Sequence, residues 1–504
     1  MVEQYGSVQA APIQDAVPYT LWWWLGQLEA ALDARMPDVN RCEQYYGGKH
    51  NLAFATGKFR EAFGRLFREF SDNWCELVVD SSVERISVQG FRFNSEDLSG
   101  DDDAWAIWQA NNLDSESVIG FTTAVKTGMA YVLVGPGDDV DGVMMPQVTI
   151  EHPCEVIVAT APGNRRNRQA ALKRWVDELG FVNAYVYLPD AIYTFQSEKP
   201  QSSQGFSGST HWLLVDEVRN TLGVVPMIPL PNDPDGRGNG TSDIDQVIPT
   251  QDAVNKLMAD MMVSSEFNAF SQRWATGLED IEDETTISMM NALMSGASRI
   301  FASASPDTKF GTFPETDLKG FVAGIELIIQ HIAARTRTPP HYLLGQSGNF
   351  PSGDSLKATE TGLVAKVRKK HLFFGEGLTD ALRLAFLMRG DTTRGKDMGA
   401  KTIWKDPESR SFGELVDGLV KLATIGVPEE FLWQKANFSP QEIKRMQELQ
   451  AVKLAATAAA NAKAAAQLAQ VPMLQPATGA KNPNAELQTG LPADPTAPSA
   501  QVAR

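Results

Sequence analysis

The stretch "TRTPPHYLLGQSGNFPSGDSLKATETGLVAKVRKKHLFFGEGL", residues 336 to 378, sets about twenty irregular residues between two long helical patterns. Upstream, "DLKGFVAGIELIIQHIAARTRTPPHY" reads as a helix stopped by a double proline, because proline has no N–H with which to continue the hydrogen-bond ladder. Downstream, the pattern predicts a helix from Leu356 to about Met388. Within the gap, "GNFPSGDS" (Gly348 to Ser355) has the spacing of a phosphate-cradling loop, G-x-x-x-x-G-K-[ST], with Asp354 where the lysine belongs. Such a loop surrounds an anion with backbone N–H groups and an ammonium, usually just after a buried strand. Here a carboxylate would repel phosphate and a helix comes first, so a nucleotide site is not expected. Ser352 or Asp354 is expected to cap the next helix, with negative charge at its positive end. Capping does not explain the length of the gap, and loops this long in a folded chain are usually functional or mobile.

Outward from this stretch, two further helical stripes come before it. One is the long pattern "IDQVIPTQDAVNKLMADMMVSSEFNAFSQRW", with Val254, Leu257, Met258, Met261, Met262 and Phe270 on one face and Pro249 in its first turn or at a kink. The other carries Leu318, Phe321, Val322, Ile325, Ile328, Ile329 and Ile332. Between them, 275 to 315 is mixed and punctuated by Gly and Pro. "PNDPDGRGNGTSD" (231 to 243) reads as a hinge. Between Tyr131 and Leu230 the period shortens to "YVLVG", "QVTIEHP", "CEVIVAT", "FVNAYVYL", "AIYTF", "HWLLVDEV" and "GVVPMIPL", whose hairpin-like spacing predicts an antiparallel sheet. Near the N-terminus, 20 to 36 and 57 to 86 read as helices, the second with Phe59, Phe63, Leu66, Phe67 and Phe70 on a core face. Near the C-terminus, Ser439, Pro440 and Glu442 form a capping-box signature that predicts a helix to about residue 470, followed by a Pro- and Ala-rich tail that reads as disordered.

With 504 residues, 43% hydrophobic and 21% charged, the chain can bury large cores in more than one domain. Its formal charge of −17 argues against a protein whose main task is to grip nucleic acid, since gripping uses a basic footprint. It does not exclude DNA that must pass without sticking. Cys42, Cys75 and Cys154 lie far apart, with neither a disulfide framework nor a zinc knuckle, which fits a reducing cytoplasm. No apolar run reaches the length of a membrane span, and "LWWWL" (Leu21 to Leu25) lacks the charged flank of a signal peptide.

Signs of catalytic chemistry are sparse. The six histidines, at 50, 152, 211, 331, 341 and 371, include no H-E-x-x-H and no i, i+4 pair. "GDDVDG" (137 to 142) and "NDPDGRGNG" (232 to 240) lack the ligand spacing of a calcium loop and read as turns. "GFSGS" (205 to 209) misses the last glycine of a nucleophile elbow. No catalytic residue, metal or cofactor is expected. Two basic runs, "NRRNR" (164 to 168) and "AKVRKKH" (365 to 371), could meet phosphate, but a solvated face or contact with acidic neighbours is the plainer reading of the second.

The order of parts resembles the portal proteins of tailed bacteriophages, of the long-tailed actinobacteriophage type. The resemblance rests on "YYGGKHNLAFATGKFREAFGRLFREFSDNWCELVVDSSVERISVQGFRF" (45 to 93), "SDIDQVIPTQDAVNKLMADMMVSSEFNAFSQRWATG" (242 to 277) and the opening stretch, and it covers about 20 to 450. It implies an α+β portal fold: an arm and wing with an antiparallel sheet at 1–241, stem helices at 242–272 and 316–336 around a clip at 273–315, a tunnel loop at 337–355, a returning wing helix at 356–407, a crown at 408–470 and a tail at 471–504. It further implies a ring, usually of twelve subunits, at one capsid vertex of the virion, assembled in the host cytoplasm. Its partners would be double-stranded DNA, terminase, a head–tail adaptor and the major capsid and scaffolding proteins, with no membrane.

On that reading Gln346, Ser347, Gly348, Asn349, Phe350, Pro351, Ser352, Gly353 and Asp354 face the passing DNA and offer it no cation. A conduit must not trap its cargo, and each lysine on a ring loop would be presented once per subunit. Two rival readings are a DNA-packaging enzyme with a degenerate nucleotide loop and a capsid adaptor that never meets DNA.

Overall fold

The computed structural model describes residues 16–50, 61, 72–93, 100–140, 143–200, 210–269, 273–276, 309–312, 317–344, 353–408 and 412–469. In chain order the first elements are α1 (Leu21–Tyr46), α2 (Trp74–Val83), β1 (Val88–Arg92), α3 (Asp102–Ala110), α4 (Leu113–Thr127) and β2 (Met129–Gly135). The short pair β3 (Asp139–Val140) and β4 (Val143–Met144) precedes β5 (Gln147–Glu151), β6 (Val156–Ala161), β7 (Asn164–Val176), β8 (Val182–Tyr187), β9 (Ala191–Ser197), β10 (Trp212–Arg219) and β11 (Met227–Pro231). Then come α5 (Ile248–Ala269), β12 (Arg273–Thr276), β13 (Lys309–Thr312), α6 (Lys319–Thr336), α7 (Pro340–Leu343) and α8 (Gly353–Met388). The last are α9 (Thr392–Gly395), β14 (Lys401–Trp404), α10 (Phe412–Thr424), α11 (Glu429–Lys435) and α12 (Pro440–Ala469). Contacts divide the chain into Met1–Lys444 and Arg445–Arg504; the second unit's described part is the continuation of α12.

The expected antiparallel sheet is two sheets. Strands β6 to β10 form a five-stranded meander in the order β10-β9-β8-β7-β6, and β11-β2-β5 is a separate three-stranded sheet. Strand periodicity sends Ala170 and Leu172 of β7 to one face, where Val182, Ala184, Phe195 and Trp212 join them under Trp24, Leu25, Leu28 and Leu32 of α1. Ala171 points the other way, to Val156, Tyr187 and Met227. α1 is pinned to this sheet by the buried Arg174 of β7, which pairs with Glu29 at 3.2 Å and with Asp33. Trp212 donates its indole N–H to the same Glu29 at 3.1 Å.

The structure revises several expectations. α1 does not end near residue 36 but runs through Pro37 to Tyr46, because Val39, Cys42 and Tyr45 are buried and outweigh a cost of about 3 kcal/mol for an interior proline. β7, the longest of the described strands, has no counterpart in the sequence reading: its first half is polar and shows no alternation. The helix expected to about Met388 does stop there, but the chain then returns as β14 to pair antiparallel with β1, placing Arg92 against Lys401, a pairing the sequence did not show. Of the 57–86 helix the structure describes α2, while Phe59, Phe63, Leu66, Phe67 and Phe70 lie outside the described residues. Pro249 sits in the first turn of α5. The capping box closes as expected: Ser439 N donates to Glu442 Oε2 at 2.8 Å, and Glu442 N donates to Ser439 Oγ at 3.3 Å.

α8 organises the largest core. Leu363, Val367, Phe374, Leu378, Leu382 and Phe386 are buried among residues of α2, α3, α4, β2, β11, α5 and α6. An interior helical glycine costs roughly 1 kcal/mol relative to alanine. Gly377 has a reason to be there, since a Cβ would strike the Leu230 side chain and lie 3.3 Å from the Pro229 carbonyl of β11.

Candidate functional site

The gap between α6 and α8 is the candidate site. Gln346, Ser347, Gly348, Asn349, Phe350, Pro351 and Ser352 lie outside the described residues. Gly353 and Asp354 open α8, which therefore begins three residues earlier than expected, and Asp354 stands in the first turn rather than ahead of it.

Both ends of the gap are held by described residues. α6 stops where Arg337 takes a left-handed φ of 57°. Thr336 Oγ1 donates back to the Ile332 carbonyl at 2.8 Å and lies 2.9 Å from Thr338 Oγ1, and Thr338 N donates to the Ala333 carbonyl at 3.1 Å. Pro339 and Pro340 then start the one-turn α7. Arg85 donates to the Tyr342 hydroxyl at 2.6 Å and pairs with Glu360 of α8 at 3.2 Å, while the hydroxyl reaches the same carboxylate at 3.3 Å. Trp74 donates its indole N–H to the Leu343 carbonyl at 3.4 Å and its backbone N–H to Gln251 of α5 at 3.0 Å. The departure point of the loop is thus tied to α2, α5 and α8.

Deeper in the same region is a polar cluster that the sequence reading missed. Lys370 of α8 lies 2.9 Å from Asp243, just ahead of α5, and also donates to Asn232, just after β11. Asn232 donates to Asp243 at 2.8 Å and to the Thr241 carbonyl at 2.7 Å. Lys366, one turn back, pairs with Asp243 at 2.8 Å and donates to the Thr336 carbonyl at the end of α6 at 3.1 Å. The Lys370 and Asp243 side chains are 3% and 8% exposed, so the "hinge" of 231–243 has both its ends in a buried network. Burial alone would raise the Asp243 pKa, but Lys366 and Lys370 outweigh it and hold the carboxyl at about 2. Burial lowers the Lys370 pKa, and Asp243 opposes that shift.

The neighbouring His371 stacks on Trp404 with ring centroids 4.5 Å apart and planes 3° from parallel. Burial pushes its pKa down to about 4, so it is neutral in the folded chain at neutral pH.

The run "AKVRKKH" is therefore committed to acidic neighbours. Every lysine and arginine of α8 has a carboxylate partner in the chain. Lys357 pairs with Glu414, and Lys366 and Lys370 share Asp243. Arg368 pairs with Asp406 at 3.3 Å, Lys369 with Asp233, and Arg383 with Asp380 at 2.7 Å. The other run, "NRRNR", lies on β7, where Arg165 and Arg166 are exposed. Among the described residues no group of His, Cys, Asp or Glu is arranged to hold a metal, and no helix is long and apolar enough to cross a membrane.

Long helices on either side of this gap, beside antiparallel sheets, fit the α+β portal fold that the resemblance implies, and comparison with known families gives the class. The chain belongs to the phage portal protein family, SPP1 Gp6-like, whose model matches residues 25–453. It is a structural component of the virion. Two relatives named "Portal protein", from Mycobacterium phages L5 and D29, are each 28% identical to it over 389 residues, covering 73% of this chain and 76% of each relative.

Proposed function

We propose that this portal protein forms a ring whose channel passes double-stranded DNA during packaging and ejection, with residues 346 to 354 facing that DNA. The observation that carries the reading is the pairing of all the cations of α8 with carboxylates of the same chain. A helix entering the channel wall would otherwise present its lysines once per subunit, and phosphate contacts add to strong, salt-dependent binding. Asp354 in the first turn of α8 extends the same design with a repulsive charge.

α5 and α6 serve as stem helices around a clip at 273–315, 408–470 as crown, and 1–241 as arm and wing. The ring, of twelve subunits, docks terminase during filling and the head–tail adaptor afterwards, and meets the major capsid and scaffolding proteins at its rim. It assembles in the host cytoplasm and hydrolyses no nucleotide itself; the motor's ATP hydrolysis supplies the energy. Electron microscopy and particle mass of the purified chain test this. Closed rings with a hole wide enough for duplex DNA are expected, whereas a compact monomer would sink the reading. An ATPase activity abolished by changing Gly353 would favour the packaging-enzyme rival instead.

A further inference from the structure

We propose that Lys366 keys the loop-bearing helix α8 to α5 and α6 at once, so that the position of the loop and the axial register of those two helices are set together. Its importance for transport rests on the reading of 346–354 as DNA-facing. Ile329 and Ile332 of α6 and Leu363 and Val367 of α8 are all buried in the same apolar core. Apolar side chains attract without direction, so shared burial alone does not fix the axial position of one helix relative to another. An ion pair and a hydrogen bond have fixed lengths, so they select one register. Buried charge clusters are weak contributors to stability, and fixing register is their best-attested use.

Lys366 is suited to this by where its partners lie. Asp243 stands at the entry to α5, 2.8 Å away, and the Thr336 carbonyl at the exit of α6, 3.1 Å away. Thr336 is bonded to Thr338, which leads directly into α7 and the loop. Arg85, Tyr342 and Glu360 join α7 to α8 near the loop, but these contacts do not include α5. Lys370 holds Asp243 and Asn232, and neither bond involves α6. The two lysines thus divide the work: Lys370 neutralises Asp243, and Lys366 ties it to the end of α6.

This division makes position separable from stability. Lys366→Met leaves Asp243 paired one to one with Lys370, and the Lys366 side chain is partly exposed (16%), so little folding energy is at stake. The experiment uses assembled full-length rings of wild type and Lys366→Met, with amide hydrogen exchange, thermal unfolding and motor-driven DNA packaging measured on the same preparations. A Tm within about 3 °C of wild type is expected. Exchange should be roughly tenfold faster in peptides covering 330–344 and 355–370 and unchanged in the five-stranded sheet. Packaging should slow. Lys366→Arg, which keeps the charge and can reach both acceptors, should restore most of the local protection.

Unchanged exchange in both peptides overturns the proposal. So does a rise shared equally by the sheet, which would mean general destabilisation. Faster local exchange with normal packaging would support the coupling and overturn the DNA-facing role of the loop.

Discussion

"AKVRKKH" on α8 and "NRRNR" on β7 are basic runs of similar length with opposite surroundings. The first is folded against Asp243, Asp233, Asp406 and Glu408 and includes a lysine whose side chain is almost wholly buried. The second leaves Arg165 and Arg166 in solvent, on the part of β7 that has run past its pairing with β8, which ends at Ala171 opposite Tyr187. The difference teaches that the period of the surrounding pattern decides the fate of a charge. Leu363, Val367, Lys370 and Phe374 follow one another at spacings of four, three and four, so Lys370 occupies a core position of the helix. The strand has no such constraint beyond the end of β8, and Arg165 and Arg166 remain free to meet water, whereas Arg168, nearer the paired part, donates to the Val225 carbonyl at 3.1 Å.

Substitutions in the two runs and their partners must therefore differ in scale. The largest effect is expected for Asp243→Ala, which leaves Lys366 and Lys370 close together without their carboxylate. Removing one partner of a buried ion pair costs about 3–5 kcal/mol, so thermal unfolding should show a large loss of Tm and ring yield should fall. A loss of under about 1 kcal/mol would mean that the cluster is open to water. Gly377→Ala comes next. It forces a methyl group between α8 and β11, and a loss of about 1–3 kcal/mol in chemical denaturation is expected, as for other overpacked sites.

His371 gives a smaller and pH-dependent effect. Its folded pKa, about 4, lies below the ordinary value of about 6.5, so the unfolded chain takes up the proton first. The contribution is complete above pH 6.5 and is lost as the pH falls from 6.5 toward 4. Between about pH 7 and 5.5 the chain should lose about 1 kcal/mol more than His371→Phe, read by chemical denaturation at each pH. Parallel curves for the two would show that the imidazole is hydrated in the folded chain. Least of all, Arg165→Glu with Arg166→Glu should move Tm by no more than about 2 °C, in the range of ordinary surface changes. A larger shift would erase the contrast between the two runs.

The same contrast explains what the sequence made legible. Strong periodicity and end signals placed α5, α6, α8 and α12 and most of the short strands, because these depend on local pattern and capping. Contacts distant in sequence were not visible: β1 near residue 90 meets β14 beyond residue 400, and the meander hides its longest strand behind "NRRNR". The end of α1 was placed ten residues too early because the burial of Val39, Cys42 and Tyr45 beyond Pro37 is a tertiary fact. At the candidate site, the residue types in the loop were readable, whereas the network at its root was not. Asn232 and Asp243 sat in a segment with the composition of a hinge, and Lys366 and Lys370 in one with the composition of a solvated face. The one available signal was Lys370 on the apolar stripe of its own helix.

The central claim is that the path through the ring is kept free of uncommitted positive charge so that a polyanion slides. It is tested most directly by putting charge back: rings carrying Asn349→Lys with Asp354→Lys, compared with wild type for the rate of DNA passage at low and at high salt. The account predicts slower passage by the variant at low salt, with the gap closing as salt rises, because phosphate contacts weaken steeply with ionic strength. Equal rates for variant and wild type at every salt concentration would contradict it.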